Sequence, residues 1–379
     1  MNETVKASRK QPHTPFSPTY KSCHSVAEFN IQHHKMLDYE GNLLVTKIPE
    51  IANNQQQLIK LYQAMVSTRL FDKKAILLQR RGQLGTYASS LGQEAIGATI
   101  GCLMHDDDVL FNYYREYAAQ FMRGVKMSEI LLYWGGNEQG MNFQKARHDF
   151  PICVPIASQA PQAVGAAYAM QLRRQQRVAV CVLGDGATSK GDFYEAINAA
   201  GTWNLPIVFV INNNRWAISL PQDKQTHAQT LAQKAIAAGI AGEQVDGNDI
   251  IALYCRLKKA IEKARSAAGA TIIEALTYRL CDHTTADDAS HYRNQQEVQE
   301  NWLYEPINRL KYYLMKQGYW SETDEKKLYN QCQEEVENAV KEYLNTPAQN
   351  PESMFDFLYE TLPASLAEQR YSVMVKEPK

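Results

Sequence analysis

Nothing in this sequence approaches the apolar length that a membrane-spanning helix needs, and neither sign of charge dominates: 40 Lys and Arg stand against 41 Asp and Glu, for a formal charge of −1. The first absence argues against a membrane protein, the second against a basic face for nucleic acid or anionic lipid. Cysteine pairing is missing too. The seven cysteines (Cys23, Cys102, Cys153, Cys181, Cys255, Cys281, Cys332) include no CxxC pair, and several lie in or beside apolar runs such as 178–183. They read as buried, reduced thiols of an intracellular protein, neither a disulfide framework nor a zinc site. The first 25 residues lack an apolar face. They are basic and rich in Ser and Pro, and Glu3 and the prolines argue against the helix of a mitochondrial presequence. Residues 1–28 are therefore expected to be a disordered or extended tail.

What is present is enough apolar material for a sizeable core: 45% of 379 residues are hydrophobic. Apolar residues at helical spacing predict a helix over 53–81, stopped by Arg81-Gly82. Further helices are expected over 93–104, 116–123 and 128–134, with a polar loop over 137–150. The centre of the chain changes character. Residues 177–183 (RVAVCVL), 206–211 (PIVFVI) and 271–275 (TIIEA) are apolar on both alternating faces. That is the pattern of strands covered on each side, as in parallel sheets. Helices at 193–203, 230–240 and 250–267 alternate with them, so the expected fold class is α/β with a doubly wound parallel sheet. Two long amphipathic helices, 297–317 and 323–343, close the chain. The expected organisation is an α/β domain over 29–293 followed by a helical region over 294–379.

The chemistry gathers at two strand ends. Gly184-Asp185-Gly186-Ala187 follows one strand and Asn212-Asn213-Asn214 ends the next. Adjacent parallel strands joined by one helix present their carboxyl ends at the same sheet edge, where α/β folds bind ligands. Asp185 and Asn214 both offer hard oxygens, and magnesium takes one or two such protein ligands, with phosphate oxygens and water completing its octahedron. Gly184 and Gly186 let the backbone approach a diphosphate, and the following helix start favours its charge. A lone Gly-Asp-Gly is more often a tight turn; the paired strands and the Asn run tip the balance. A dinucleotide fingerprint fails because Ser189 stands at the third glycine position of GxGxxG, and amides stand where an acidic ribose ligand belongs.

The stretch GDGATSKGDFYEAINAAGTWNLPIVFVINNN resembles the thiamine-diphosphate motif. RGQLGTYASSLGQEAIG, NYYREYAAQFMRG, VPIASQAPQAVGAAYA, RWAISLPQDKQT, QVDGNDIIALY, IIEALTYRLCDHTTADDASHYR and MFDFLYETLPASLAEQ are similar to the alpha subunits of pyruvate and branched-chain 2-oxo-acid dehydrogenase components. The likeness runs over about 29–370. It implies a thiamine-diphosphate-binding fold, with Asp185, the Asn214 side chain and the Trp216 carbonyl as magnesium ligands; the family more often has Tyr at that last position. It implies cofactor contacts from Tyr114, Arg115, Val154, Ile156, Gly184, Asp185, Gly186, Ala187, Asn214 and His283, with Arg115 on the diphosphate and Ile156 as an apolar wedge. A guanidinium fork suits phosphate oxygens. His283 matches a catalytic histidine on a mobile loop over the cofactor, followed by Thr284 where animal members carry a regulatory phosphoserine. Ser158 and Gln159 match a potassium loop of some members, and Tyr87 is a candidate for the acyl pocket. Asp282, Asp287 and Asp288 are expected to repel one another, leaving that loop to be ordered by cofactor binding.

The resemblance implies decarboxylation of a small 2-oxo acid and transfer of the acyl group to lipoyl-lysine on an acyltransferase component. Thiamine-diphosphate chemistry needs a second element, a carboxylate on the aminopyrimidine, and no second sheet domain follows 275. A beta subunit is therefore expected, in an α2β2 heterotetramer. The small-residue helix over 160–170 is expected to pack at a subunit interface. Pyruvate is favoured over a branched-chain 2-oxo acid, because the N-terminal half and SLPQDKQT look most like bacterial pyruvate dehydrogenase alpha chains; the expected location is the bacterial cytoplasm rather than the mitochondrial matrix. A nicotinamide-dependent oxidoreductase and a non-catalytic scaffold are the alternatives from other classes.

Overall fold

A computed structural model describes residue 25 and residues 27–356 and 358–375. The chain divides after Asn30, and the described residues from Ile31 onward form the second, compact unit. The expectation for the 1–28 tail lies almost wholly outside the described residues. In the second unit the centre is a six-stranded sheet with every pairing parallel. Its strands are β1 (His33–His34), β2 (Val109–Phe111), β3 (Ala179–Gly184), β4 (Ile207–Asn213), β7 (Ala241–Asp246) and β8 (Thr271–Leu276), in the order β1-β7-β8-β4-β3-β2; β5 (Trp216–Ala217) and β6 (Leu220–Pro221) form a separate antiparallel hairpin.

The doubly apolar runs do what their pattern predicts. In β3 and β4 alternate residues feed opposite cores. Val180, Val182, Val208 and Val210 face one, with helices Gln55–Arg80, Glu94–Leu103 and Ile250–Arg265. Cys181, Leu183, Phe209 and Ile211 face the other, with helices Gln159–Leu172 and Gly191–Thr202. The register Gly184↔Asn212 sets the two strand tips side by side. No helix among the described residues is long and apolar enough to cross a membrane. The six described cysteines are free, and Cys181 and Cys332 are buried.

Two of the expected helices change. The helix expected over 230–240 shrinks to Lys234–Ala237, because the Ala232 N–H is taken by Glu274 Oε2 at 3.0 Å and Gly239 turns the chain at φ +64°. The helix expected over 297–317 is two helices, Gln295–Trp302 and Pro306–Lys316. Pro306 cannot continue a helix but starts one well, and Glu305 caps it through the N–H groups of Ile307 and Asn308. The last of the long helices runs Glu322–Asn345 and a further one, Ala364–Val375, follows. In the C-terminal helical region Leu310, Leu314, Leu328 and Cys332 join the core beneath helix Gln55–Arg80.

Helix Gly191–Thr202 can lie this close to the 230–240 segment only because residue 201 has no side chain. A Cβ at Gly201 would sit 2.1 Å from the Ala238 carbonyl oxygen. Gly201→Ala is expected to cost ~2 kcal/mol, the usual scale for overpacking, and to lower the thermal midpoint by roughly 2–4 °C; an unchanged melting curve would show that the segment yields freely.

Candidate active site

At the carboxyl ends of β3 and β4 the chain has run out of ladder, and its next backbone groups turn outward. Residues Asp185–Ser189 form one 3-10 turn directly after β3. A Cβ on Gly186 would lie 2.9 Å from Ala217 Cβ in the β5 strand, so glycine is what lets the hairpin close over this turn. A cavity of about 200 Å³ opens here. Of the residues expected to bind a cofactor, Tyr114, Arg115, Ile156, Gly184, Asp185, Gly186, Ala187, Asn214, Trp216 and His283 line it together, and Gln159 joins them. Val154 does not line it and is 46% exposed. Ser158 lies outside the lining, its hydroxyl bonding to the Pro155 carbonyl at 2.9 Å. Tyr87 is fully buried in another cluster, its hydroxyl donating to Asp72 Oδ1 at 2.9 Å.

Asp185 is the electrostatic centre. It is buried, and its Oδ2 has no hydrogen-bond partner. Burial pushes its carboxyl up to about 6, against the smaller opposing pull of nearby N–H groups and Arg279. An ionised carboxylate so placed lacks compensation that a cation would supply. Asn214 is held by Gln93, whose Oε1 accepts its Nδ2 at 3.1 Å; this fixes its carbonyl oxygen, which accepts the Trp216 N–H at 3.2 Å and keeps a second lone pair. The Trp216 carbonyl accepts from Arg279 at 3.3 Å and likewise keeps one. Among the described residues no three His, Cys, Asp or Glu side chains gather as a metal cage. A cation here would take one carboxylate, neutral oxygens and the oxygens of its own ligand, a donor set suited to magnesium and not to zinc.

Arg115 supplies the complementary charge. Its guanidinium is buried and donates to the carbonyls of Ser89 and, at 2.7 Å, His283, and at 3.0 Å to His283 Nδ1. Three of its five N–H groups are engaged, leaving two for an anion. His283 is fixed in consequence. A guanidinium only donates, so Nδ1 accepts and the ring proton sits on Nε2. Burial, then Arg115 and Arg279, push its pKa down to about 3, so His283 is a neutral donor through Nε2.

In the 282–292 loop the aspartates expected to repel one another all accept hydrogen bonds. Each carboxylate holds hydrogen: Asp282 takes the Ala289 N–H at 2.9 Å, Asp287 the His283 N–H at 2.8 Å and the Tyr292 hydroxyl, and Asp288 the Ser290 N–H at 3.0 Å. Thr285 and Tyr87 exchange two further bonds. Arg279 is the residue that sequence reasoning passed over. Fully buried, it donates to the carbonyls of Trp216 and Ile218, to Cys281 and to the Tyr292 hydroxyl, tying the hairpin to the loop. An arginine in the apolar run LTYRLC was the one signal available.

Comparison with known proteins places the chain in a family. The chain is 38% identical over 347 residues, 91% of its length and 93% of the relative's, to the pyruvate dehydrogenase E1 component subunit alpha of Staphylococcus aureus strain Mu50. The protein of the same name from Staphylococcus epidermidis strain ATCC 12228 shows the same identity and coverage. Residues 62–352 match the family described as dehydrogenase E1 component, which depends on thiamine diphosphate. This chain belongs to the dehydrogenase E1 component family.

Proposed function

We propose that this chain is the alpha subunit of a pyruvate dehydrogenase E1 component, holding the diphosphate end of thiamine diphosphate through magnesium and completing its active site with a beta subunit. The observation that carries the reading is the buried Asp185 carboxylate, its Oδ2 unpartnered, in one cavity with Asn214, Arg115 and His283. When bound, thiamine diphosphate supplies the electron sink for decarboxylation of a 2-oxo acid. The chain's own groups do the rest. Asp185, the Asn214 amide oxygen and the Trp216 carbonyl would hold the cation, and the free N–H groups of Arg115 would meet the diphosphate. Ile156 offers the apolar wall. His283, neutral and donating through Nε2, would donate to a phosphate or carbonyl oxygen without adding charge to the site. Gln159, whose buried Oε1 has no partner, is with Ser158 the place for a potassium ion.

The need for a second chain follows from what this one contributes. The described residues after β8 form helices, 3-10 turns and loops with no further strand, and in this reading the carboxylate that the aminopyrimidine requires is the beta subunit's. Helix Gln159–Leu172 buries Ala160, Ala163, Val164 and Ala167 against the sheet and leaves Tyr168 and Leu172 exposed beside Trp203. That apolar face suits a partner subunit in an α2β2 assembly, which would pass its acyl group to a lipoyl-bearing acyltransferase in the bacterial cytoplasm. Co-expression with the beta chain should give pyruvate decarboxylation that exceeds turnover of 3-methyl-2-oxobutanoate by roughly 10-fold or more, the scale on which one or two methylenes discriminate. Turnover by the isolated chain would contradict the two-chain reading, and preference for the branched acid would contradict the substrate.

A further inference from the structure

Beside the cavity, and not part of its lining, a second buried polar group is left without a partner. Both polar atoms of the Gln225 amide, Nε2 and Oε1, are buried and unbonded. The strand tips bring it here. The Gln222 N–H bonds to the Arg215 carbonyl at 3.1 Å, and Gln222 Oε1 accepts Asn213 Nδ2 at 3.1 Å. These two bonds seat the short helix Gln222–Gln225 on the end of β4 and turn its last residue toward the Asp185–Ser189 turn. Gln225 Nε2 lies 3.6 Å from where a Cβ on Gly186 would stand, beside the Asp185 carboxyl, which it draws back toward its ionised form. Arg279, whose charge also acts on Asp185, has its N–H groups engaged by Trp216, Ile218, Cys281 and Tyr292. Asp185 Oδ2 and Gln225 Nε2 are thus an acceptor and a donor, both buried, both unsatisfied and neighbours, a pairing that buried polar groups rarely leave unmade.

We propose that Gln225 is a positioning residue for Asp185: when the cation binds, its Nε2, unbonded in the metal-free chain, donates to Oδ2 and so aims the remaining carboxylate lone pairs into the cavity, where cation and diphosphate would sit. The inference rests on the reading of Asp185 as a cation ligand. Gln225 touches neither cofactor nor substrate and acts only by restricting the rotation of a buried carboxylate, as outer-sphere partners do at other metal sites.

The test uses the enzyme assembled with its beta chain and titrates Mn2+ in the presence of thiamine diphosphate, following free Mn2+ by electron paramagnetic resonance. Mn2+ accepts the same oxygen ligands as Mg2+. Gln225→Met keeps the length and removes the donor; it is expected to raise the Mn2+ Kd about 10- to 100-fold, the usual effect of losing an outer-sphere partner, while kcat at saturating metal and cofactor stays within twofold and the metal-free melting temperature is unchanged. A Kd within twofold of the parent in Gln225→Met, or a loss matched by early melting of the metal-free enzyme, overturns the proposal. Asp185→Asn in parallel separates the two ideas. If it too leaves Mn2+ binding intact, the reading of the site has failed; if it alone abolishes binding, only the role of Gln225 has.

Discussion

Asp185→Asn in the assembled enzyme is expected to remove magnesium-dependent binding of thiamine diphosphate, raising its Kd by ~100-fold or more, while the metal-free protein melts at or above the parent's temperature. Both halves follow from one feature. The carboxylate is buried with an unpartnered oxygen, and burial pushes it up to about 6. Holding such a charge without a counter-ion opposes folding, so replacing it with a neutral amide of the same shape relieves a cost. The same replacement removes the one anionic oxygen from a donor set otherwise made of the Asn214 amide and the Trp216 carbonyl, and neutral oxygens alone hold a hard divalent cation poorly. Calorimetric titration with thiamine diphosphate, with and without Mg2+, reads the first effect and a melting curve reads the second. Retained magnesium dependence sinks the assignment of the cavity. Lost binding accompanied by early melting would mean instead that Asp185 holds the 185–189 turn together.

That the site's centre was legible in the sequence, and its surroundings were not, has a physical basis. Strands β3, β4 and β8 carry apolar residues on both faces because helices cover both, and such a run cannot be mistaken for a solvated edge. Their tips are fixed by the same pattern, so Asp185 and Asn214 could be paired from spacing and topology. β7 escaped because Val245 is its one buried residue, and β1 and β2 are too short to show a period. Arg115 and His283 were reached through family likeness alone; a guanidinium after two tyrosines and a histidine in an Asp-rich loop carry no local signal of meeting. Gln225, Arg279 and the aspartate hydrogen bonds of the 282–292 loop depend on which groups lie opposite them in space. That is information the fold creates. The break at Pro306 was readable, and helical periodicity on either side of it overrode a helix start that proline marks plainly.

A second large effect belongs to Glu116, the residue after Arg115. It is buried, its Oε1 accepts Asn212 Nδ2 at 3.0 Å, and Asn212 in turn accepts the Thr277 hydroxyl at 2.8 Å, so the carboxyl ties the Arg115 loop to the tips of β4 and β8. Burial pushes it from 4.5 up to about 7, opposed by the Asn212 bond and the Arg115 charge. A carboxyl raised in the fold favours folding in its protonated form. Its contribution is full below about pH 4.5, where the unfolded chain is protonated as well, and is lost as pH rises through about 7. Above that pH the folded protein carries a buried anion at a cost of ~3 kcal/mol, at ~1.4 kcal/mol per pH unit. Glu116→Gln keeps the oxygen that Asn212 requires and cannot ionise. Its metal-free melting temperature should therefore match the parent near pH 4.5, draw ahead through pH 5–7, and exceed it by roughly 4 °C at pH 8. The comparison needs only melting curves of the two proteins across that range. Parallel curves would mean that Glu116 is ionised throughout, with Arg115 and Asn212 together outweighing its burial.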